Sequence, residues 1–191
     1  MVSALVRTSF STMVRESGDY SCMLFDSRGR FLCQGTASVP SFTGTGPATL
    51  AGILQHIPQD TLQDGDVLFT NDPWIGTGHL PDATMGAPIH AGGRLVGFIV
   101  TVAHLSDIGG RQWAADATEV FEEGIRFPVI KMVEAGRLNT LAMDLLEANV
   151  RLPLQVRGDI DAQIVAINVA QKRVAEMLDE YGLVSLQEVA E

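Results

Sequence analysis

Leu95-Val96-Gly97-Phe98-Ile99-Val100-Thr101-Val102 is nearly all apolar and rich in β-branched side chains. It is too short for a bilayer-spanning helix, and apolar residues fall at both odd and even positions, so the stretch predicts a strand buried on both faces at the centre of a sheet. Working outward, 87–90 pairs with 95–103 as a hairpin around Ala91-Gly92-Gly93-Arg94. The strand ends in Ala103-His104-Leu105-Ser106-Asp107-Ile108-Gly109-Gly110. Before the hairpin lies Asn71-Asp72-Pro73-Trp74-Ile75-Gly76-Thr77-Gly78-His79-Leu80-Pro81-Asp82, whose Asn, Pro and Gly residues predict an ordered loop. Two glycine-flanked His/Asp clusters therefore bracket one hairpin.

The remaining pattern fills in around that centre. Val2, Leu5, Val6, Phe10, Met13 and Val14 approximate helical spacing up to Ser17-Gly18. Segments 20–25 and 30–34 read as a hairpin about Asp26-Ser27-Arg28-Gly29. Residues 40–47 read as a loop leading into a short helix over 48–56, and 58–66 as a polar connection before a strand at 67–70. Residues 111–124 form an acidic loop or short helix whose Glu119, Glu122 and Glu123 read as a solvated face. A strand at 129–133 and helices at 138–149 and 160–181 complete the chain. The expected fold is α+β in one domain, 1–191: a mixed, mostly antiparallel sheet with hairpins, segregated helices and a helical C-terminal segment.

The bulk properties narrow the function classes. The net charge of −10 gives no basic surface for nucleic acid. No apolar run approaches the ~20 residues needed to cross a membrane. Residues 1–10 carry only Arg7 as a charge and no cleavage signal, which predicts a cytoplasmic protein. Cys22 and Cys33 read as two buried, reduced thiols.

Imidazole nitrogen combined with carboxylate oxygen suits Zn, Mn or Fe. The candidates are His79, Asp82, His104 and Asp107, with Glu16 or Asp19 near the first hairpin; the competing reading is that Asp82 and Asp107 merely cap turns. Asn71-Asp72 can hold a water or a metal, or simply build the turn. Gly44-Thr45-Gly46-Pro47 lacks the Lys-Ser/Thr of a phosphate loop, and no Gly-x-Ser-x-Gly elbow points to a serine hydrolase.

Taken together, Arg15-Glu16-Ser17-Gly18-Asp19-Tyr20-Ser21, the 71–82 loop, His104-x-x-Asp107-Ile108-Gly109-Gly110, Glu122-Glu123-Gly124-Ile125-Arg126-Phe127-Pro128, Ala148-Asn149-Val150-Arg151-x-Pro153 and Arg157-Gly158-Asp159-Ile160-x-Ala162-Gln163 resemble the hydantoinase B/oxoprolinase family. The resemblance implies an ATP-dependent enzyme subunit acting on cyclic amides such as hydantoins or 5-oxoproline. A related branch carboxylates ketones, and a silent assembly module is a third reading. The resemblance also implies a divalent metal, manganese favoured, on His79, Asp82, His104 and Glu16, with Asp19 able to replace Glu16. Asp107, Asn71 and Asp72 are the catalytic candidates. ATP is expected to enter through a separate hydantoinase A-type ATPase subunit with an actin-like fold, making a hetero-oligomer. Two departures stand out. Phe42 occupies a position where the family often has histidine, and family subunits are far longer, so the chain reads as an N-terminal fragment. Part of the stripe Ile160, Ile164, Ile167, Val174, Met177 and Leu178 is then expected to be exposed, leaving the isolated chain marginally stable or self-associating.

Overall fold

The computed structural model describes residues 1–112 and 114–189. Among the described residues seven strands, β1 (Tyr20–Asp26), β2 (Phe31–Gln34), β3 (Val67–Thr70), β4 (Asp82–Ala91), β5 (Arg94–His104), β6 (Ile130–Glu134) and β7 (Arg137–Leu138), form one sheet in the order β2-β1-β5-β4-β3-β6-β7. Every pairing in it is antiparallel, so the mostly antiparallel expectation holds without a parallel component. Among the described residues five α-helices accompany it: α1 (Val2–Thr8), α2 (Thr12–Arg15), α3 (Pro40–His56), α4 (Thr140–Asn149) and α5 (Pro153–Tyr181). None of the described helices is long and apolar enough to cross a membrane.

The apolar run at 95–102 is explained by its neighbours. Phe98, Val100 and Val102 pack with Leu50 and Ile53 of α3 on one face. Ile99 belongs to the core made with Ile160, Ile167, Val174 and Leu178 of α5 on the other. Helices therefore cover both faces, giving three layers. This also corrects the expectation for α5. Ile160, Ile167, Val174 and Leu178 are already buried against the sheet, where each fully buried side chain is worth roughly 1.5–3 kcal/mol, and Ile164 and Met177 are half-buried, so most of the stripe is covered within the chain.

Three local expectations change for identifiable reasons. The first predicted helix breaks at Ser9-Phe10-Ser11, because the buried Asp159 carboxylate of α5 accepts the backbone N–H groups of Phe10 (2.8 Å) and Ser11 (3.1 Å). Ser11 then caps α2 through its side chain, which accepts from the Val14 N–H. The glycine-rich segment 40–47 is not a loop but the first half of α3. Pro40 presets the first helical φ, and Gly46 lies so close to Met23 that a Cβ would collide with it. Burial of Phe42, Leu50 and Ile53 outweighs the hydrogen bond lost at Pro47. The helix expected from residue 160 starts at Pro153. Cys22 is buried, its thiol pushed up to about 12 by that burial, but Cys33 is exposed on the edge strand β2 rather than buried.

Candidate metal centre

Strand β4 begins at Asp82, earlier than the expected residue 87, and this extension builds the site. The β4–β5 register sets Asp82 directly opposite His104. His104 N–H in turn donates to Asp19 O at the head of β1 (3.0 Å). Residues facing each other across antiparallel strands project to the same side of the sheet. Asp19, His104 and Asp82 thus line one cross-strand row, and His79 reaches it from the loop.

Asp82 Oδ1 lies 3.1 Å from His79 Nε2 and 3.2 Å from His104 Nδ1. Its other oxygen, Oδ2, accepts from Thr77 Oγ1 at 2.6 Å. The two imidazole centroids are 5.1 Å apart, and the donor atoms of His79, Asp82 and His104 all lie within 4.8 Å of one another. Asp19 Oδ2 is 3.6 Å from His104 Nδ1. Asp82 and His104 are buried while His79 and Asp19 are only partly so, leaving an accessible side. Burial opposes charge on Asp82, but hydrogen bonds from His104, His79 and Thr77 outweigh it and hold the carboxyl down at about 2. The hydrogen bond to Asp82 raises His79 above its ordinary value, against burial. Asp19 is pushed up, first by burial and also by the neighbouring Asp82 charge, although His104 pulls it down. Two imidazoles and two crowded carboxylates fit a divalent cation, whose charge would relieve the repulsion between the carboxylates.

Glu16 does not join this group: it is exposed at the C-terminal end of α2, and Asp19 stands beside His104 instead. The three catalytic candidates are engaged by the protein itself. Asn71 is buried; its Nδ2 donates to Leu80 O (2.8 Å) and Ile125 O (2.9 Å), and its Oδ1 accepts from Phe127 N–H (2.7 Å). Asp72 accepts from Trp74 N–H at 3.0 Å and lies 3.8 Å from Arg126. Asp107, also buried, accepts from Gly109 N–H (2.9 Å), Gln112 Nε2 (2.7 Å), Leu152 N–H (3.0 Å) and Arg151 N–H.

Glu123 and Thr77 went unnoticed as site residues in the sequence. Glu123 Oε2 accepts from Leu80 N–H at 2.9 Å, so one member of the acidic run clamps the histidine-bearing loop rather than facing solvent. The neighbouring Gly124 allows a close lap of two backbones, with Ile125 N–H donating to Ile108 O at 2.9 Å. A Cβ at Gly124 would collide with that same Ile108 carbonyl, and its φ of 153° disfavours other residues. Gly124→Ala is expected to cost about 2–4 kcal/mol, read as a lowered urea midpoint with unchanged slope. A midpoint shift equivalent to less than ~0.5 kcal/mol would contradict the lap as described.

The profile of the hydantoinase B/oxoprolinase family matches residues 1–191. A Pseudomonas sp. (strain NS671) protein provisionally named as the B component of a D-/L-hydantoinase is 37% identical over 98% of this chain and 33% of its own length. The beta chain of the Pseudomonas jessenii caprolactamase is 33% identical, over 96% of this chain and 32% of its own. The chain thus spans about a third of the length of these relatives. It superimposes on the crystal structure of ATP-dependent caprolactamase from Pseudomonas jessenii with a TM-score of 0.87 and 31% identity, covering 97% of this chain and 32% of that one. The nucleotide-free acetone carboxylase structure shares the fold, with a TM-score of 0.84 at 22% identity over 98% of this chain and 25% of that one.

Proposed function

The chain belongs to the hydantoinase B/oxoprolinase family, and from that premise we propose that it is the metal-bearing portion of an ATP-dependent hydrolase of cyclic amides. The observation that carries this reading is the convergence of His79, Asp82 and His104, with Asp19 alongside, from separate strands and a loop. These four side chains would hold a divalent ion, with manganese favoured over zinc or iron. Such an ion, when bound, supplies Lewis acidity toward the amide carbonyl or its phosphorylated form and lowers the pKa of a bound water.

The protein groups have separable tasks. Thr77 fixes one oxygen of Asp82, leaving the other between the two imidazoles. Asn71 and Glu123 pin Leu80, the residue after His79, through its carbonyl and its N–H, and Asp107 ties the 107–112 loop to the start of α5. On this reading Asn71, Asp72 and Asp107 position the site rather than touch substrate. Both relatives are named as one component of a multi-subunit enzyme, which supports a hetero-oligomer. We assign ATP handling to a hydantoinase A-type partner subunit and the assembly to the cytoplasm. The greater length of the relatives supports reading residues 1–191 as an N-terminal portion of a longer subunit.

The test is co-purification of the complete subunit with its A-type partner, followed by assay with ATP and hydantoin, caprolactam or 5-oxoproline. Ring opening coupled to ADP formation is expected, abolished by chelator and restored by Mn²⁺. Ring opening that persists in metal-depleted protein, or metal-loaded protein that opens none of the three rings, would overturn the reading.

A further inference from the structure

Two aromatic side chains stand out in solvent on the segments that carry and clamp His79. Trp74 is 83% exposed and Phe121 is 67% exposed. They belong to one face, joined through Asp72 and Arg126. Trp74 N–H donates to Asp72 Oδ1 at 3.0 Å, Arg126 lies 3.8 Å from Asp72 Oδ2, and its guanidinium sits 5.6 Å from the Phe121 ring centroid. A cavity of about 580 Å³ opens against Trp74, walled also by Pro73, Val120, Glu119 and Glu123.

This face is anionic as well as apolar. Glu119 and Glu123 are the charged residues in the cavity wall. The arginines nearby are already engaged: Arg126 by Asp72 and Phe121, and Arg111 by Glu122 and Asp116. Among the described residues the Glu119 side chain has neither an ion pair nor a hydrogen bond, so its charge is uncompensated. An indole this open does not suit a small-molecule site, where most of the ligand surface is enclosed. It suits a protein surface, because tryptophan is among the residues that carry most of the binding energy at interfaces. The uncompensated carboxylates and the chain's net charge of −10 set the sign of the partner.

We propose that this face docks a protein partner with a basic surface, one arginine or lysine of which lies over Trp74 beside Glu119 and Glu123. The occupant is the ATP-handling partner subunit of the proposed hydrolase, and its identity rests on that reading. Docking here reaches the metal row through few bonds. Glu123 holds the N–H of Leu80, the residue after His79. Asp72 opens the turn that leads to His79, its carbonyl accepting from the N–H groups of Ile75 (3.0 Å) and Gly76 (2.7 Å). A partner that fixes these two residues therefore steadies the approach of His79 to Asp82.

Hydroxyl-radical footprinting of the complete subunit, alone and with the partner subunit, reads the face directly. Trp74 and Phe121 are expected to be oxidised in the free subunit and protected in the complex. When the partner is titrated calorimetrically, Trp74→Ala should weaken association about 30-fold at unchanged metal content. In stopped flow, Glu119→Lys should slow association about tenfold at low salt, an effect that fades as salt rises. Both side chains are exposed, so neither variant threatens the fold. Trp74 protected in the free subunit would mean that the subunit covers this face itself, which overturns the proposal. Affinity of Trp74→Ala within twofold of the parent would overturn it as well. Docking as expected, with no cyclic amide opened, upholds the face and overturns the hydrolase reading instead.

Discussion

With His104 replaced by alanine, the purified subunit is expected to retain less than about a tenth of the parental metal, and ATP-coupled ring opening to fall by roughly 10³-fold. His104 is one of two imidazoles flanking Asp82 Oδ1 and is the neighbour of Asp19, so its loss dismantles the row at its middle. A bound metal contributes several kcal/mol to stabilising charge in the transition state, and each 1.4 kcal/mol is tenfold in rate, so losing about 4 kcal/mol gives the stated factor. Asp19 and Glu16 supply the internal contrast. Asp19→Ala should weaken Mn²⁺ binding about 10- to 100-fold in a calorimetric titration, whereas Glu16→Ala should leave it unchanged, since Glu16 is exposed and away from the cluster. Stoichiometric metal in His104→Ala by elemental analysis would refute the site.

The second large effect concerns stability. Asp107→Ala is expected to cost about 3–5 kcal/mol, because the N–H groups of Gly109, Arg151 and Leu152 and the Gln112 amide lose one shared, buried acceptor. For a chain of this size that corresponds to a melting temperature lower by about 6–20 °C. The pH dependence follows from the direction of the shift. Burial works against the Asp107 charge, but hydrogen bonds from Gly109, Gln112, Arg151 and Leu152 outweigh it and keep the carboxyl below its usual range. Its contribution is therefore complete above the unfolded-state value near ~3.9 and fades as acid titrates the folded form. The gap between parent and variant should be constant around neutrality and close toward low pH; a gap that stays constant down to pH ~2 would argue against the network.

Much of this was legible because the decisive signals were local. A short apolar run rich in β-branched residues and with no polar face reads as a doubly covered strand, and β5 is one. His79, Asp82 and His104 stood out because glycines flank them and a hairpin separates them. That Asp19 rather than Glu16 lies beside His104 was not local information: the backbone bond from His104 to Asp19 sets it there, and register across two strands leaves no mark in a single segment. The same limit hid Asp159, which breaks the N-terminal helix from far along the chain, and Glu123, whose carboxylate looks solvated until Leu80 is placed beside it. Segment 40–47 was misread for another reason. Its glycines serve close approach to Met23, not turns, and propensity cannot distinguish these uses.

The hairpin register has one more consequence, for engineering. From Asp82↔His104 to Ile89↔Gly97 the β4–β5 ladder runs without irregularity, and its slip lies beyond, between Ile89 and His90. The far end, where Gly92 and Gly93 turn with positive φ, is roughly 30 Å from Asp82 at about 3.3 Å per residue. Length changes grafted there can be taken up at the slip, whereas a one-residue change on the near side would turn Asp82 to the opposite face. The tip is thus the place to insert an epitope or purification handle, and the loop side is the place to leave untouched.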